Sequence, residues 1–432
     1  MSTVGKPGYK ETAIGWIPTD WSVERVGKLA EVDSESLSNK TAADFSFRYI
    51  SLGDVNSGKL VTGCAHITFS EAPSRARRIV KTGDILFATV RPNLKGHYFA
   101  RWADGNVIAS TGFSVVRARA GEASPAFLYQ ALLSEGVDGQ IEKLTVGSSY
   151  PAVNSADVKG LLLPAPPLAE QQEVAAILTA VDDKLDVIAR QIETTQTLKR
   201  GLMQILFSRG VGTQDAEGRW VPHVEFKDSE LGEIPVGWEV KPLAVMSQES
   251  RARNAGILDD ALLCGVLKDQ GLIPMRERVK GATTERCRIV ESNAFAYNPM
   301  RINIGSIARN LRDHSVMVSP DYVVFSTKAG ELMYSYLDHF RRSDEWQRFV
   351  GRSGDGGVRI RIYYDDLAQL RMRVPPLKEQ ARIVEVLDCV SEKLNNLTTK
   401  QREFQTLKRG LMQKLLTGEW RVKLEGAEPL AA

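Results

Sequence analysis

Few residues of this sequence stand in an arrangement that could do chemistry. Gly53-Asp-Val-Asn-Ser-Gly58-Lys59 opens like a phosphate-binding loop. Leu60, however, stands where a hydroxyl should ligate Mg2+, and the run after Lys59 reads as a strand rather than a helix whose N-terminus could hold phosphate. A simple β-turn is the better reading. Asn298-Pro299 is half of the Asn-Pro-Pro-aromatic motif that positions an adenine amino group in amino-methyltransferases, but Met300 follows. No glycine-rich strand–turn–helix for a methyl donor precedes it. His66, His97, His223, His314 and His339 are isolated and lack the spacing of a metal site, so each reads as a surface or structural residue. No Gly-x-Ser-x-Gly element and no carboxylate–lysine nuclease cluster appears. With these catalytic signatures missing, the sequence predicts a protein that recognises rather than transforms.

What remains is a set of basic and amide residues on turn-rich segments. In the first half these are Arg75, Arg77 and Arg78, followed by Lys81. Next come Arg91, Asn93 and Lys95 of Arg91-Pro-Asn-Leu-Lys95, and the polar loop with Ser148, Ser149 and Tyr150. In the second half they are Arg286 and Arg288, then Asn298, Arg301 and Asn303, then Arg352 and Ser353 leading to Arg359 and Arg361. Arg and Lys neutralise phosphates and pair with guanine in the major groove; Asn pairs with adenine. The clusters occupy comparable places in the two halves: Arg78-Ile-Val and Arg288-Ile-Val lie 288 − 78 = 210 residues apart. These types predict DNA contact; an ordinary solvated face is the alternative.

The elements that must position these residues are written twice. Residues 166–207 and 375–416 align without insertion at an offset of 209, with 19 identities over 42 positions. The nine residues Gln-Thr-Leu-Lys-Arg-Gly-Leu-Met-Gln at 196–204 recur unchanged at 405–413. A shorter motif precedes each: Ile17-Pro-x-x-Trp21-x-Val23 and Ile234-Pro-x-x-Trp238-x-Val240. The bodies between these markers are similar in length and unlike in sequence.

Both repeated segments read as long helices. Val174, Leu178, Val181, Leu185, Ile188 and Ile192, continued by Thr195, Lys199 and Leu202, alternate steps of four and three. Ile383, Leu387, Val390, Leu394, Leu397, Gln401, Phe404, Lys408 and Leu411 do the same. Such a 3.5-residue period makes a coiled-coil seam, weakened where Lys199, Gln401 and Lys408 are polar. Pro166-Pro167 and Pro375-Pro376 suit helix starts, and Gly210 and Gly418 suit helix stops. Each helix would be roughly 60 Å long. Gly201 and Gly410 interrupt both patterns, which predicts close packing or a kink. Chain order requires the helices to pair antiparallel, with one body at each end and a pseudo-two-fold axis across the middle. The chain's end should then return near residues 12–22.

The fold class predicted is α+β: two mixed α/β bodies separated by a long antiparallel two-helix coiled coil. The divisions are residues 1–165, a helix at 166–208, a connector at 209–233, a second body at 234–374, a second helix at 375–417 and a tail at 418–432. Strand-like runs include Arg48–Leu52, Asp84–Thr89, Phe113–Arg117, Ala294–Tyr297 and Tyr322–Ser326; short helices are expected at Pro125–Ser134 and Gly330–Phe340. At about 150 residues per domain, 432 residues allow two or three. A net charge of +3 excludes an arginine-rich tail binder and leaves local basic patches. Cys64, Cys264, Cys287 and Cys389 form no Cys-x-x-Cys pair, which fits a reducing cytoplasm. No apolar run suggests secretion or a membrane span.

Taken together, the Pro-Pro-Leu-x-Glu-Gln openings at 166–171 and 375–380, the duplicated Thr-Leu-Lys-Arg-Gly-Leu-Met-Gln ends, the Ile-Pro-x-x-Trp motifs and Tyr297-Asn-Pro-Met-Arg-Ile-Asn-Ile-Gly305 carry a resemblance. The chain resembles the DNA-specificity (S) subunit of type I restriction-modification systems over nearly its whole length. The resemblance implies two target-recognition domains, each reading half of a bipartite asymmetric DNA site. It implies helices that fix the gap and dock two modification (methyltransferase) subunits. Those subunits would carry S-adenosylmethionine and methylate adenine; restriction subunits would add ATP- and Mg2+-dependent translocation and cleavage. The chain itself would hold no cofactor or metal and perform no catalysis. Ile177, Val187 and Val386, beside the seam, are candidates for the docking contact. A fused methyltransferase or nuclease and a pure protein scaffold are the competing classes.

Overall fold

A computed structural model gives the fold; residues 6–56, 58–61, 64–145, 151–268, 270–275, 283–352 and 361–422 are described. The chain forms two units, Met1–Ala189 with Thr399–Ala432, and Arg190–Thr398. Both divisions fall inside the long helices, Leu168–Arg209 and Leu377–Leu415, so each unit combines one body with half of each helix.

In the first unit a four-stranded antiparallel sheet runs in the order Tyr98–Phe99, Ile85–Ala88, Phe113–Ala118, Ala30–Val32. Successive side chains of a strand point to opposite faces, and every residue of Ile85–Ala88 is buried, so this sheet is covered on both sides. Ile85 and Phe87 face a core shared with the helix Pro125–Leu132, with Val174, Leu178 and Leu415 of the long helices and with the adjoining Leu416. Leu86 and Ala88 face a second core. Behind it lies a mixed sheet ordered Ala65–Thr68, Ser46–Ile50, Val107–Ser110, Ala76–Val80, in which Ser46–Ile50 and Val107–Ser110 are parallel.

The second unit repeats this plan with other residues. Its sheet runs Ile307–Arg309, Phe295–Tyr297, Val323–Thr327, Ser247–Ser250. Phe295, Tyr297, Val323 and Phe325 face the helix-bearing core, which also holds Tyr336, Phe340, Met203, Phe207, Ile383 and Leu387. Ala296, Ala308 and Val324 face the other way. The expected strands and short helices thus appear with ends shifted by a few residues, as at Ser46–Ile50 and Tyr334–Phe340.

In both units the start of one long helix packs in the same core as the end of the other, so the pairing is antiparallel. Val174, Leu178, Ile188, Ile383 and Leu387 are buried; Val181, Leu185, Ile192, Val390, Leu394, Leu397 and Phe404 are half-buried. The polar seam positions have partners. Lys408 pairs with Asp182 at 2.7 Å in the first unit, and Lys199 donates to Ser391 Oγ at 2.7 Å in the second. Asp182 and Ser391 are themselves 391 − 182 = 209 residues apart, so one interaction is written with two chemistries. Burial holds the Lys199 ammonium below the usual lysine range, and the Arg342 charge adds to this.

One expectation is corrected here. Gly201 and Gly410 are exposed, and nothing lies within 4 Å of where a Cβ would stand on either. Both helices run through them unbroken, because a glycine on the outer face removes no packing and leaves the helical hydrogen bonds intact. The flanking predictions fare differently: Pro167 and Pro376 supply the carbonyls that receive Gln171 N and Gln380 N, both at 3.0 Å. Gly210 and Gly418 take left-handed φ values of 72° and 70° at the helix ends.

Each body is closed by a strand pair that brings its first residues to its last. Ser22–Arg25 pairs with Leu162–Ala165, and Glu239–Pro242 with Arg371–Val374. The repeated Trp and Glu then lock together. In the first unit Trp21 Nε1 donates to Glu170 Oε2 at 3.0 Å, and Arg421 braces Glu170 and Asp20 at 2.7 Å each. Arg421 holds the Asp20 carboxyl below its ordinary range, chiefly through that hydrogen bond. In the second unit Trp238 Nε1 donates to Glu379 Oε2 at 2.7 Å. Glu379 Oε1 also accepts Val211 N and Gly212 N and meets His223 Nε2 at 2.9 Å. The adjoining glutamines tie in the short helices: Gln171 Oε1 accepts Ser124 N at 2.9 Å, and Gln380 Oε1 accepts Met333 N at 2.8 Å. Tyr9 Oη donates to the Gly418 carbonyl at 3.0 Å, so the described end of the chain lies against its beginning.

Candidate nucleic-acid interface

Each unit presents one loop at the same place in its sheet, between the second and first strands. In the first unit the chain leaves Ile85–Ala88, bridges Val90 to Ala152, and turns through Arg91 (φ 49°), a 3-10 turn at Pro92–Leu94 and Lys95 (φ 51°). Arg91 N donates to the Pro151 carbonyl at 2.8 Å. Pro92 is buried as an anchor, while Arg91 and Asn93 are exposed. Lys95 is half-buried and tied to Asp138 at 2.7 Å and to the Leu133 carbonyl at 3.1 Å.

His97 stands beneath this loop. Its Nδ1 accepts Ala88 N at 2.9 Å, and its ring stacks on Phe87 at 4.1 Å. Burial, with a contribution from the Lys95 charge, lowers its pKa to about 3, so the imidazole is a neutral acceptor at the neck of the loop.

In the second unit Phe295–Tyr297 leads into Asn298, whose Oδ1 accepts Met300 N at 2.9 Å, while Arg301 N donates to its carbonyl at 3.0 Å. A 3-10 turn at Ile302–Ile304 follows, closed by Gly305 at φ 94°. Ile302 is the buried anchor; Arg301 and Asn303 are exposed and Asn298 is half-buried. Ile362 N donates to the Pro299 carbonyl at 3.1 Å, which places the exposed Arg361 beside this loop as Pro151 lies beside the first. Ser148, Ser149, Tyr150, Ser353 and Arg359 lie outside the described residues. Arg352 ends the helix Asp344–Arg352 and is exposed.

The third pair of clusters is placed differently. Arg75 is exposed and its carbonyl accepts Thr111 N at 2.8 Å; the next residue, Gly112, accepts Thr89 N at 2.9 Å. Arg75 thus shares an edge with the Arg91 loop. Arg77 lies over the Phe69 ring and donates to Asn39 at 3.4 Å. Arg78 is paired with Asp33 at 3.1 Å, and Arg288 with Glu249 at 3.5 Å. These two arginines are equivalent braces between sheet strands. Arg286 is exposed on its own segment.

Sequence reasoning missed the Trp–Glu clamps, although the repetition of Trp21/Trp238 and Glu170/Glu379 was a signal for them. It also missed Lys268, Arg309, Arg341 and Arg342, which gather beside the second loop. Ile177 and Val187 are both 37% exposed, whereas Val386 packs on the core of the second unit. Among the described residues no group of three His, Cys, Asp or Glu could hold a metal ion, and no helix is long and apolar enough to cross a membrane.

Residues 18–196 match the family described as the type I restriction modification DNA specificity domain. A Methanocaldococcus jannaschii protein assigned as the MjaX specificity subunit of a type I restriction enzyme is 25% identical over 96% of this chain and 97% of the relative. The MjaVIII specificity subunit of the same organism is 22% identical over 98% of each. Among solved structures, a chain from a study of type I R-M complex assembly and conformational transition matches over 94% of this chain and 99% of that one, at a TM-score of 0.55 and 21% identity. The type I S subunit of M. genitalium matches over 92% and 96%, at 0.56 and 14%. The two structures share the fold of this chain.

Proposed function

We propose, from the premise that this chain belongs to the type I restriction-modification specificity-subunit family, that its two units each read one half of a bipartite, asymmetric DNA site. The observation that carries this is the pair of loops, Arg91–Lys95 and Asn298–Asn303, set at the same place in two sheets of the same strand order but bearing different side chains. Like supports with unlike reading residues suit an asymmetric sequence. Arg91, Asn93, Arg301 and Asn303 are the candidates for base edges, with Arg75, Arg352 and Arg361 for phosphates. Ser148, Ser149, Tyr150, Ser353 and Arg359 are candidates on their residue types alone.

The chain carries recognition and no catalytic step: its relatives are named specificity subunits, and the matched family is a specificity domain. It works in a complex with the other subunits of its restriction-modification system. We take those to be two modification subunits, which supply S-adenosylmethionine, and restriction subunits, which supply ATP- and Mg2+-driven action on cytoplasmic DNA. Two copies of one helical surface offer two like docking faces, and the paired helices set the gap between half-sites. Joining two half-site contacts in one molecule raises affinity well above that of either.

Mapping methylated adenines in DNA from cells carrying the system tests the reading: two short motifs separated by a fixed gap are expected. Methyl transfer from labelled S-adenosylmethionine by the purified chain alone would replace it with a fused enzyme. Failure of the full complex to retain any DNA at low salt would replace it with a scaffold.

A further inference from the structure

In the second unit a cleft of about 470 Å3 lies between the hairpin Cys264–Leu267/Gly271–Pro274, the strand Ile307–Arg309 and the helix Tyr334–Phe340. Lys268, Arg309, Arg341 and Arg342 line it, and Asp338 is the one carboxylate among its described lining residues. Three guanidiniums share that carboxylate. Arg341 Nη2 is 2.7 Å from it, Arg342 Nη2 3.6 Å and Arg309 Nε 3.8 Å. Arg341 also donates to the Ile307 carbonyl at 3.0 Å. Lys268 has no ion pair among the described residues. Burial pulls the Arg341 pKa down, and the Arg342 and Arg309 charges add to that against the opposing pull of Asp338. The wall of the cleft therefore carries positive charge in excess of its own partners.

The fold alone does not require this excess. The first unit has a cleft of about 600 Å3 beside its own loop, lined in addition by Asp182, Asp186 and Lys408 of the long helices, and each cation at its wall is matched. Lys59 pairs with Asp186 at 2.5 Å, Lys95 with Asp138 at 2.7 Å, Arg101 with Asp183 at 2.5 Å and Lys408 with Asp182 at 2.7 Å. The cleft beside the loop is thus charge-balanced in the first unit, where a long helix brings three aspartates to it, and cationic in the second. The cationic cleft is also joined to the reading loop. Gly305, which closes the Ile302–Ile304 turn, forms part of its wall, and the Lys268 chain lies 3.1 to 3.6 Å from where a Gly305 Cβ would stand.

We propose that this cleft seats one backbone phosphate of the DNA, next to the bases faced by the Asn298–Asn303 loop. Lys268 and the half-exposed Arg342 supply the donors that the phosphate oxygens accept, while Arg309 and Arg341 keep Asp338 occupied. The proposal rests on that loop being the reading loop of the second half-site. It adds two residues to the interface and makes the second unit the more salt-sensitive of the two.

The test measures binding of the full chain with its modification subunits to a duplex carrying the methylation-mapped site and to a scrambled duplex, from 50 to 200 mM salt. Lys268→Ala with Arg342→Ala should weaken both duplexes by a similar factor, about tenfold, and reduce the slope of log affinity against log salt by roughly one. Lys59→Ala, at the balanced cleft, should leave the slope unchanged. Lys268→Arg with Arg342→Lys should restore it, and an unaltered melting profile in every variant confirms folding. If the double alanine variant binds like wild type while Arg301→Ala still loses discrimination, the cleft proposal is wrong and the loop reading stands. If Arg301→Ala loses nothing, the loop reading itself fails. If inorganic phosphate or a nucleoside triphosphate raises the melting temperature through Lys268 and Arg342 while DNA binding is unmoved by the variants, the cleft serves a free anion and the DNA assignment is overturned.

Discussion

Trp238 and Glu379, 141 residues apart in sequence, meet through an indole N–H to carboxylate hydrogen bond of 2.7 Å in which both side chains are buried. Trp21 and Glu170 meet in the same way. Each bond ties the residue just before the strand pair that closes a body to the first turn of the helix that leaves it, so the two ends of the body are held to its support at a fixed point.

Glu379→Ala should therefore be costly. It leaves Trp238 Nε1, Val211 N and Gly212 N without their acceptor, a loss of about 3 kcal/mol in a buried network. Glu170→Ala should cost less, because its partner Arg421 is 44% exposed and returns to water. Urea unfolding of the chain reads both; equal losses would contradict the contrast.

The acid limb of stability should carry the mark of His97. Its folded pKa, about 3, lies below the unfolded 6.5, so the unfolded state binds the extra proton between those values. Stability is full above 6.5 and falls as the pH drops towards 3, by up to about 1.4 kcal/mol per unit. His97→Gln keeps an acceptor for Ala88 N without titrating there. The difference in unfolding free energy between pH 7 and pH 5 should shrink by about 2 kcal/mol in the variant; parallel profiles would remove His97 from this role.

Substitutions at the helix glycines should split by position. Gly201→Ala and Gly410→Ala meet open space and should stabilise the chain by up to about 1 kcal/mol each. Gly418→Ala should destabilise it, since φ is 70° and a Cβ would stand 2.4 Å from Pro18. Thermal melting gives the signs. If the first two variants melt higher yet no longer assemble with the modification subunits, the bare glycine surface is part of the docking face.

Arg301→Ala should cost about 1–3 kcal/mol on the mapped site and relax preference at one position of one half-site only. Competition binding with single-base variants measures this. A uniform loss across sequences would mark Arg301 as a phosphate contact.

Removing one heptad from the middle of both long helices shortens each by about 10 Å, which corresponds to roughly three base pairs of duplex. Adenine mapping should then find the two motifs closer together by that amount. An unchanged gap would dissociate helix length from site spacing.

The helices were legible because their pattern is written twice and keeps one period, and because proline and glycine mark their ends. The common topology of the bodies was not. Ile85 and Phe87 fill the place of Phe295 and Tyr297 with the same alternation but different residues, and alternation alone does not reveal strand order. Gly201 and Gly410 were misjudged because a gap in the apolar pattern does not say which face it lies on. The basic clusters were visible as charge, but their neutralising partners were not. Asp33 for Arg78 and Glu249 for Arg288 come from segments far away in sequence, and only the fold separates a brace from a solvent-facing cation. The excess charge beside Gly305 was hidden for the same reason, since Lys268 and Arg342 are separated by a whole sheet.

Gly210 reaches Trp238 and Glu379 much as Gly418 reaches Pro18 and Trp21, so the two helix ends terminate in matching sockets. The stop of one helix and the anchor of the other thus meet in a single contact, so adding or removing a residue at either stop would loosen the adjoining clamp along with the helix end.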